Sequence, residues 1–232
     1  MKFIFLQTPI ITDSINNPIV EEKTLSIMEL ISSGGLGGNI IMGTLGLLSI
    51  YAIYILIERF STIKKASVED ESFLKSIKNF VEQKDIHAAK TLCKNTDNPV
   101  SRMIEKGIDR IDKPMTDISA AIENQGKLEV YKMENNLANL ATIAGAAPMI
   151  GFLGTVIGMI VAFHEMASAG GNIDVEMLSK GIYTAMVTTV GGLVVGIIAY
   201  IAYNFLVSKI DKVIFKLEAR TTEFLDLLHL NE

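Results

Sequence analysis

Residues 145–163 read GAAPMIGFLGTVIGMIVAF, and this stretch decides the fold. It lies inside Leu137–Phe163, a run of 27 residues with no Asp, Glu, Lys, Arg or His. At about 1.5 Å per residue the run makes roughly 40 Å of helix, more than the ~30 Å hydrocarbon core of a bilayer. A membrane-spanning helix is expected, but not one that meets only lipid. Gly145, Gly151, Gly154 and Gly158 interrupt the apolar side chains, and Pro148, the expected kink, and Thr155 join them. Bare glycine gains nothing from lipid. It lets a second helix backbone come close, and Gly154–Gly158 has GxxxG spacing. The stretch therefore describes a packed element of a multi-helix or multi-subunit membrane protein.

Two further uncharged runs lie outward of it, Asn39–Ile57 and Gly181–Ser208, the latter with Gly191, Gly192 and Gly196 as close-packing positions. Arg59, Lys64 and Lys65 follow the first run, and Lys209, Lys212, Lys216 and Arg220 follow the last. The other flanks carry only Lys2, Lys23 and Lys180. Positive charge stays on the cytoplasmic side. The expected fold is an all-α membrane protein with three transmembrane helices, a periplasmic N-terminus, a cytoplasmic C-terminus, and long helices extending into the cytoplasm. Residues 1–38 read as an uncleaved periplasmic tail ending in a short amphipathic interfacial segment, Thr24–Ser33, and a glycine hinge, GGLGG at 34–38. The spans are expected at 39–57, 135–163 and 181–208. A periplasmic loop at 164–180, a cytoplasmic helical domain at 58–134 and a cytoplasmic C-terminal helix at 209–232 complete the division.

The composition fits this division. The chain has 232 residues, is 49% hydrophobic and only 20% charged, and its net charge of −5 argues against a nucleic-acid grip, which needs a basic face. Cys93 is the only cysteine, so no intrachain disulfide forms, and it reads as a small buried hydrophobe. Tryptophan is absent, which leaves tyrosine as the interfacial anchor. Within 58–134, fourteen basic residues balance fourteen acidic ones, so this segment is no polybasic lipid-binding arm.

The pattern of the cytoplasmic segment is helical. Ser67 is placed to cap a helix opening on Val68-Glu69-Asp70-Glu71; Asp85–Cys93 forms a second; Asn98-Pro99 opens a third over Val100–Ile111. Beyond Lys113-Pro114 the apolar spacing predicts one uninterrupted helix from Asp117 to Phe163, about 70 Å long, with Gly126 its only weak point. The third span is expected to continue through Lys209–Leu228 as a charged helix with an apolar stripe.

Inside the spans there is no Asp, Glu, Lys, Arg or His. A proton relay normally places an ionisable group there, so this chain alone lacks the carboxylate such a relay needs. Its polar groups are hydroxyls: Thr142 and Thr155 in the second span, and Thr184, Thr188 and Thr189 in the third. A membrane threonine usually bonds the carbonyl three or four residues back, which is the default for each of them. Beside so many glycines, though, they suit a narrow polar pore or a surface that receives another subunit's polar side chain. His164-Glu165 begins like a zinc helix, but position 168 is Ser, and His87 and His229 have no ligand partners at useful spacing. There is no P-loop, GxSxG or paired carboxylate, so neither a catalytic residue nor a cofactor is expected.

Ala147–Phe163 (APMIGFLGTVIGMIVAF) and Gly181–Asn204 (GIYTAMVTTVGGLVVGIIAYIAYN) resemble the MotA/TolQ/ExbB proton-channel family, as do Ile53–Phe60 and Leu137–Pro148. The resemblance covers about two thirds of the chain, with all three spans in order. The Gly151–Val156 core is its most specific part. Three spans, where flagellar stators usually have four, place the resemblance on the ExbB/TolQ branch, nearer ExbB.

The resemblance implies a pentamer around a pore lined by the second and third spans. Two single-span ExbD-type partners would bring the missing intramembrane Asp, and work would pass to a TonB-type protein in the bacterial inner membrane. The family's pore threonines fall on Thr155 and Thr189. Thr184, in GIYTAM, stands where many relatives carry a Glu, and the Thr188-Thr189 pair resembles sodium-driven members. Gly151, Gly154, Gly158, Gly192 and Gly196 are the expected packing positions. Two other readings fit the same residues: a TolQ-like, gliding or secretion motor subunit, and a non-conducting membrane scaffold.

Overall fold

A computed structural model describes residues 35–67, 71–168 and 175–229. The expected interfacial segment at 24–33 and the Ser67-capped start at 68–70 lie outside these residues. Seven helices make up the described chain: α1 (Gly35–Ala66), α2 (Glu71–Glu82), α3 (Ile86–Asn95), α4 (Pro99–Ile108), α5 (Met115–Glu134), α6 (Leu137–Ser168) and α7 (Val175–His229). Three helical stretches, 37–66, 115–168 and 181–229, carry 18-residue windows with mean hydropathy of 2.3, 2.1 and 2.1 and suffice in length and composition to cross a membrane. α1, α6 and the first half of α7 form an apolar three-helix layer. α2 to α5 pack with the second half of α7 into a polar helical domain.

Local sequence explains the short helices. Asp85 caps α3 through Oδ1, which accepts from the Ala88 amide at 3.0 Å, and Asn98 caps α4 by accepting from the Ser101 amide at 2.7 Å, with Pro99 at the first helical position. The core of the polar domain brings Phe73 and Ile77 of α2, Cys93 of α3, Ile104 and Ile108 of α4, Ile122 of α5 and Phe224 of α7 out of water. Burial, followed by the charges of Glu105 and Asp109, pushes the Cys93 thiol up to about 12, so it stays an inert hydrophobe.

Two expectations about helix ends are overturned. The helix predicted over Asp117–Phe163 is two helices, divided at Asn135-Asn136, where Asn136 takes a left-handed φ of 64°. Asparagine tolerates that conformation and is a poor interior helix former, so the pair of them ends α5. Gly126, read as the weak point, is buried within α5, and a Cβ there would meet the Met103 methyl at 2.9 Å. Its bareness serves packing on α4. Likewise Gly35–Gly38 open α1 rather than forming a hinge ahead of it. Cβ atoms at Gly37 and Gly38 would lie 3.5 Å from an Ile157 methyl and 3.3 Å from the Thr184 methyl, so these glycines seat the start of α1 on α6 and α7.

α1 is continuous alongside the α5–α6 break and bonded to both sides of it. Nη1 of Arg59, a residue only 6% exposed, donates to the Lys132 carbonyl in the last turn of α5 at 2.8 Å, and the guanidinium also pairs with Glu58. On the far side, Asn139 Nδ2 donates to the Tyr51 hydroxyl at 3.2 Å. Deeper in the polar domain the Glu129 carboxylate, 2% exposed, accepts from Arg102 at 2.7 and 3.0 Å, from Gln125 at 2.8 Å and from Lys132 at 2.8 Å. The carboxylate is buried but its partners Arg102 and Lys132 reach solvent, so removing it forfeits several charge-assisted hydrogen bonds without stranding a buried charge. We expect Glu129→Ala to lower the thermal midpoint of the detergent-solubilised protein by several degrees. Glu123→Ala, which removes an exposed pair with Lys127, should leave it unchanged.

Candidate ion-pathway site

The site begins with two rows of small residues. On α6 they are Ala147, Gly151, Gly154, Gly158 and Ala162; on α7 they are Gly181, Ala185, Thr188, Gly192 and Gly196. Both rows step by four, three, four and four residues, which keeps them on one face of a helix. The helices run antiparallel with these rows in contact. A Cβ at Gly192 would lie 2.5 Å from the Ala147 carbonyl oxygen and 2.8 Å from the Gly151 Cα, and one at Gly151 would lie 2.7 Å from the Thr188 carbonyl. Gly158 faces Ala185, and Gly181 faces Ala162. Backbone meets backbone, so no side chain fits between.

Pro148 belongs to the same contact. Proline lacks the amide that would bond the Ala144 carbonyl, and its ring thickens the helix locally. Gly196 lies over that ring, its Cβ position 2.6 Å from Cγ and 3.1 Å from the Ala144 oxygen. A glycine opposite the proline is what allows α7 to stay close.

This close approach brings the threonines together. Thr155 Oγ1 and Thr189 Oγ1 lie 3.1 Å apart. Thr155 Oγ1 also reaches the Phe152 carbonyl at 2.6 Å, and Thr189 Oγ1 reaches the Gly151 carbonyl at 3.2 Å. Each hydroxyl has one proton and two acceptors within reach, so each keeps a lone pair for a further donor. Both residues are only partly buried, at the edge of the groove. Thr188, 2% exposed, lies in the contact itself, where its hydroxyl donates to the Ala185 carbonyl at 2.8 Å and its side chain fills the space beside Gly154.

Thr184 is placed elsewhere. Its methyl abuts Gly38 of α1, and Gly191 abuts Met42 of α1. At 100° per residue, Thr184 and Gly191 lie on the opposite flank of α7 from Thr189, as Ile157 lies opposite Thr155 on α6. α1 therefore covers one side of the α6–α7 pair, and the Thr155–Thr189 pair opens on the other. Thr142 bonds the Ala138 carbonyl four residues back at 2.8 Å and takes no part in the site. His164 and Glu165 are exposed at the end of α6. Among the described residues no cluster of His, Cys, Asp and Glu could hold a metal ion.

Sequence spacing did not pair Thr155 with Thr189, although a signal was present. Each helix carries one continuous row of small residues, the rows meet in antiparallel contact, and their register sets these hydroxyls side by side. In the sequence Arg59 is simply one of the charges flanking the first span. Its burial depends on α5, which nothing near it in sequence announces.

With this geometry in place, a sequence profile of the MotA/TolQ/ExbB proton channel family matches residues 95–219, more than half of the chain and both threonines. The chain belongs to this family. A putative biopolymer transport protein ExbB homolog of Methanothermobacter thermautotrophicus is 29% identical over 83% of this chain and 67% of its own length. The biopolymer transport protein ExbB of Aquifex aeolicus is 32% identical over 47% of this chain and 74% of its own length. The Tol-Pal system protein TolQ of Pseudomonas aeruginosa is 24% identical over 91% of this chain and 96% of its own length. The matched region begins after α1, so the family pattern centres on the α6–α7 pair and the polar helices that continue it.

The α6–α7 contact sets the separation of the two threonine-bearing helices. Overpacking a tight contact costs about 1–3 kcal/mol. Gly192→Ala, whose methyl would meet backbone, is expected to lower the thermal midpoint clearly. Gly191→Ala, whose methyl would meet the flexible Met42 thioether at 3.2 Å and touch a Leu45 methyl at 3.7 Å, should leave the midpoint nearly unchanged.

Proposed function

We propose that this chain is the pore-forming subunit of an inner-membrane proton-channel motor. With an ExbD-type single-span partner it would convert proton motive force into work on a TonB-type protein, and so drive active transport across the outer membrane. The observation that carries the reading is the Thr155–Thr189 hydroxyl pair, on the face of the α6–α7 pair that α1 leaves open and within spans that hold no Asp, Glu, Lys, Arg or His. Such a face accepts and donates hydrogen bonds but cannot hold a proton. A carboxylate from another chain would complete it, and an intramembrane Asp in a single-span partner is the chemistry that fits.

Several copies, most simply five, would surround that partner with their Thr155–Thr189 faces inward. The charged flanks orient the polar domain toward the cytoplasm. Thr188 then maintains helix spacing, and Thr184 contacts α1 rather than the ion path. One charge crossing 100 mV releases about 2.3 kcal/mol, so work on an outer-membrane transporter would need several protons or repeated strokes. A TolQ-like output is the second reading. It is favoured by the near full-length alignment with the Pseudomonas TolQ, and it shares the same pore chemistry.

The test is Thr155→Val and Thr189→Val in cells that depend on the system. Each variant keeps shape and loses the hydroxyl. We expect at least a tenfold loss of energy-dependent uptake, with unchanged abundance and unchanged oligomer mass by native mass spectrometry. Normal uptake in both variants would remove the hydroxyl pair from the ion path.

A further inference from the structure

Phe60 of α1 and Phe205 of α7 stack on each other, with ring centroids 6.1 Å apart and planes inclined by 24°. Both rings stay partly open, at 42% and 45% exposure. Three contacts follow one another in the same order along the two helices: Gly38 with Thr184, Met42 with Gly191, and Phe60 with Phe205. α1 and α7 therefore run parallel, and the stacked rings share one height. The uncharged runs end at Ile57 and Ser208, so the stack marks the level where the apolar layer meets water. Phe205 comes 16 residues after Thr189, about 160° round α7. The rings thus face away from the candidate ion path.

A lysine follows each ring at the same interval. Lys64 and Lys209 are four residues beyond Phe60 and Phe205, about 6 Å along and about 40° round each helix. Both are exposed. Lys209 leans back toward the apolar layer, its Nζ 5.5 Å from the Phe205 centroid, in a cation–π contact. Among the described residues neither lysine has an ion pair. The acids near them in sequence point elsewhere: Asp211 lies about 120° round α7 from Phe205, and Glu58, about 160° round α1 from Phe60, is held by Arg59. On the other side of the rings the surface is apolar. Ile53 on α1, and Ile198 and Ile201 on α7, are exposed at four- or seven-residue intervals before the aromatics.

We propose that this flank of α1 and α7 binds an anionic phospholipid, with its phosphate between Lys64 and Lys209 and its acyl chains along Ile53, Ile198 and Ile201. Two unpaired ammonium groups at one height call for an anion, and the stacked rings and apolar stripe beside them call for one that carries tails. A zwitterionic lipid brings its own cation and gains little from the lysines, whereas a net negative headgroup gains from both. On the orientation proposed above, the lipid sits in the cytoplasmic leaflet.

The test is native mass spectrometry of the detergent-solubilised protein, titrated with dioleoyl phosphatidylglycerol or dioleoyl phosphatidylcholine. The native chain is expected to retain the glycerol lipid at lower concentration than the choline lipid. Lys64→Gln and Lys209→Gln should each weaken retention of the glycerol lipid about fivefold and leave the choline lipid unaffected. Lys94→Gln removes the same charge from an exposed site on α3 and should change neither. All three side chains are exposed, so the lipid-free thermal midpoint should stay constant and report intact folding. Equal retention of the two lipids by the native chain would overturn the proposal, as would unchanged retention in both Lys64→Gln and Lys209→Gln. An equal loss in Lys94→Gln would also overturn it, because net charge and not this flank would then attract the lipid.

Discussion

The structure depends on backbone contact between α6 and α7. Side chains normally hold membrane helices 8–10 Å apart, and lipid offers no hydrophobic incentive for them to associate. Here association comes from van der Waals contact over matched rows of glycine, alanine and one buried threonine. The antiparallel register follows from that contact, and from the register follows the hydroxyl pair. If the helices stood one side chain further apart, Thr155 and Thr189 would each bond only their own backbone.

Below the spans the chain uses a different chemistry. Two asparagines break the α5–α6 helix where the apolar segment begins, while α1 and α7 pass that level unbroken. Arg59 and Tyr51 tie α1 to either side of the break, and the Glu129 cluster fixes α5 to α4. Polar groups hold the polar domain, small residues hold the membrane layer, and α1 splints the junction. The Thr155–Thr189 groove is thereby mounted on a braced polar base, an arrangement suited to passing force between the two.

Much of this was legible in the sequence, and the rest was hidden for physical reasons. Uncharged runs of spanning length announce membrane helices because nothing else tolerates so little polarity. Asn98-Pro99 announced the start of α4 because capping is local, while Asp85, expected inside its helix, caps α3 from just outside it. The Asn135-Asn136 break is hidden in the sequence because apolar spacing on both sides suggests one helix, in which Gly126 looks the weaker residue. Tertiary packing against Met103 holds Gly126 in the helix, whereas Asn136 has a conformation of its own to adopt. For the candidate site, the residue types were visible but their pairing was not. Thr155 and Thr189 are 34 residues apart, and only the register of two helices joins them.

The central claim is that this subunit conducts ions only when another chain supplies the carboxylate its spans lack. The most direct measurement is proton flux into liposomes under an imposed potential. It would compare this chain alone, the chain with its single-span partner, and the chain with a partner whose intramembrane Asp is replaced by Asn. The account predicts flux only with the intact partner. Equal flux from this chain alone, or from the complex with the Asn partner, would contradict it.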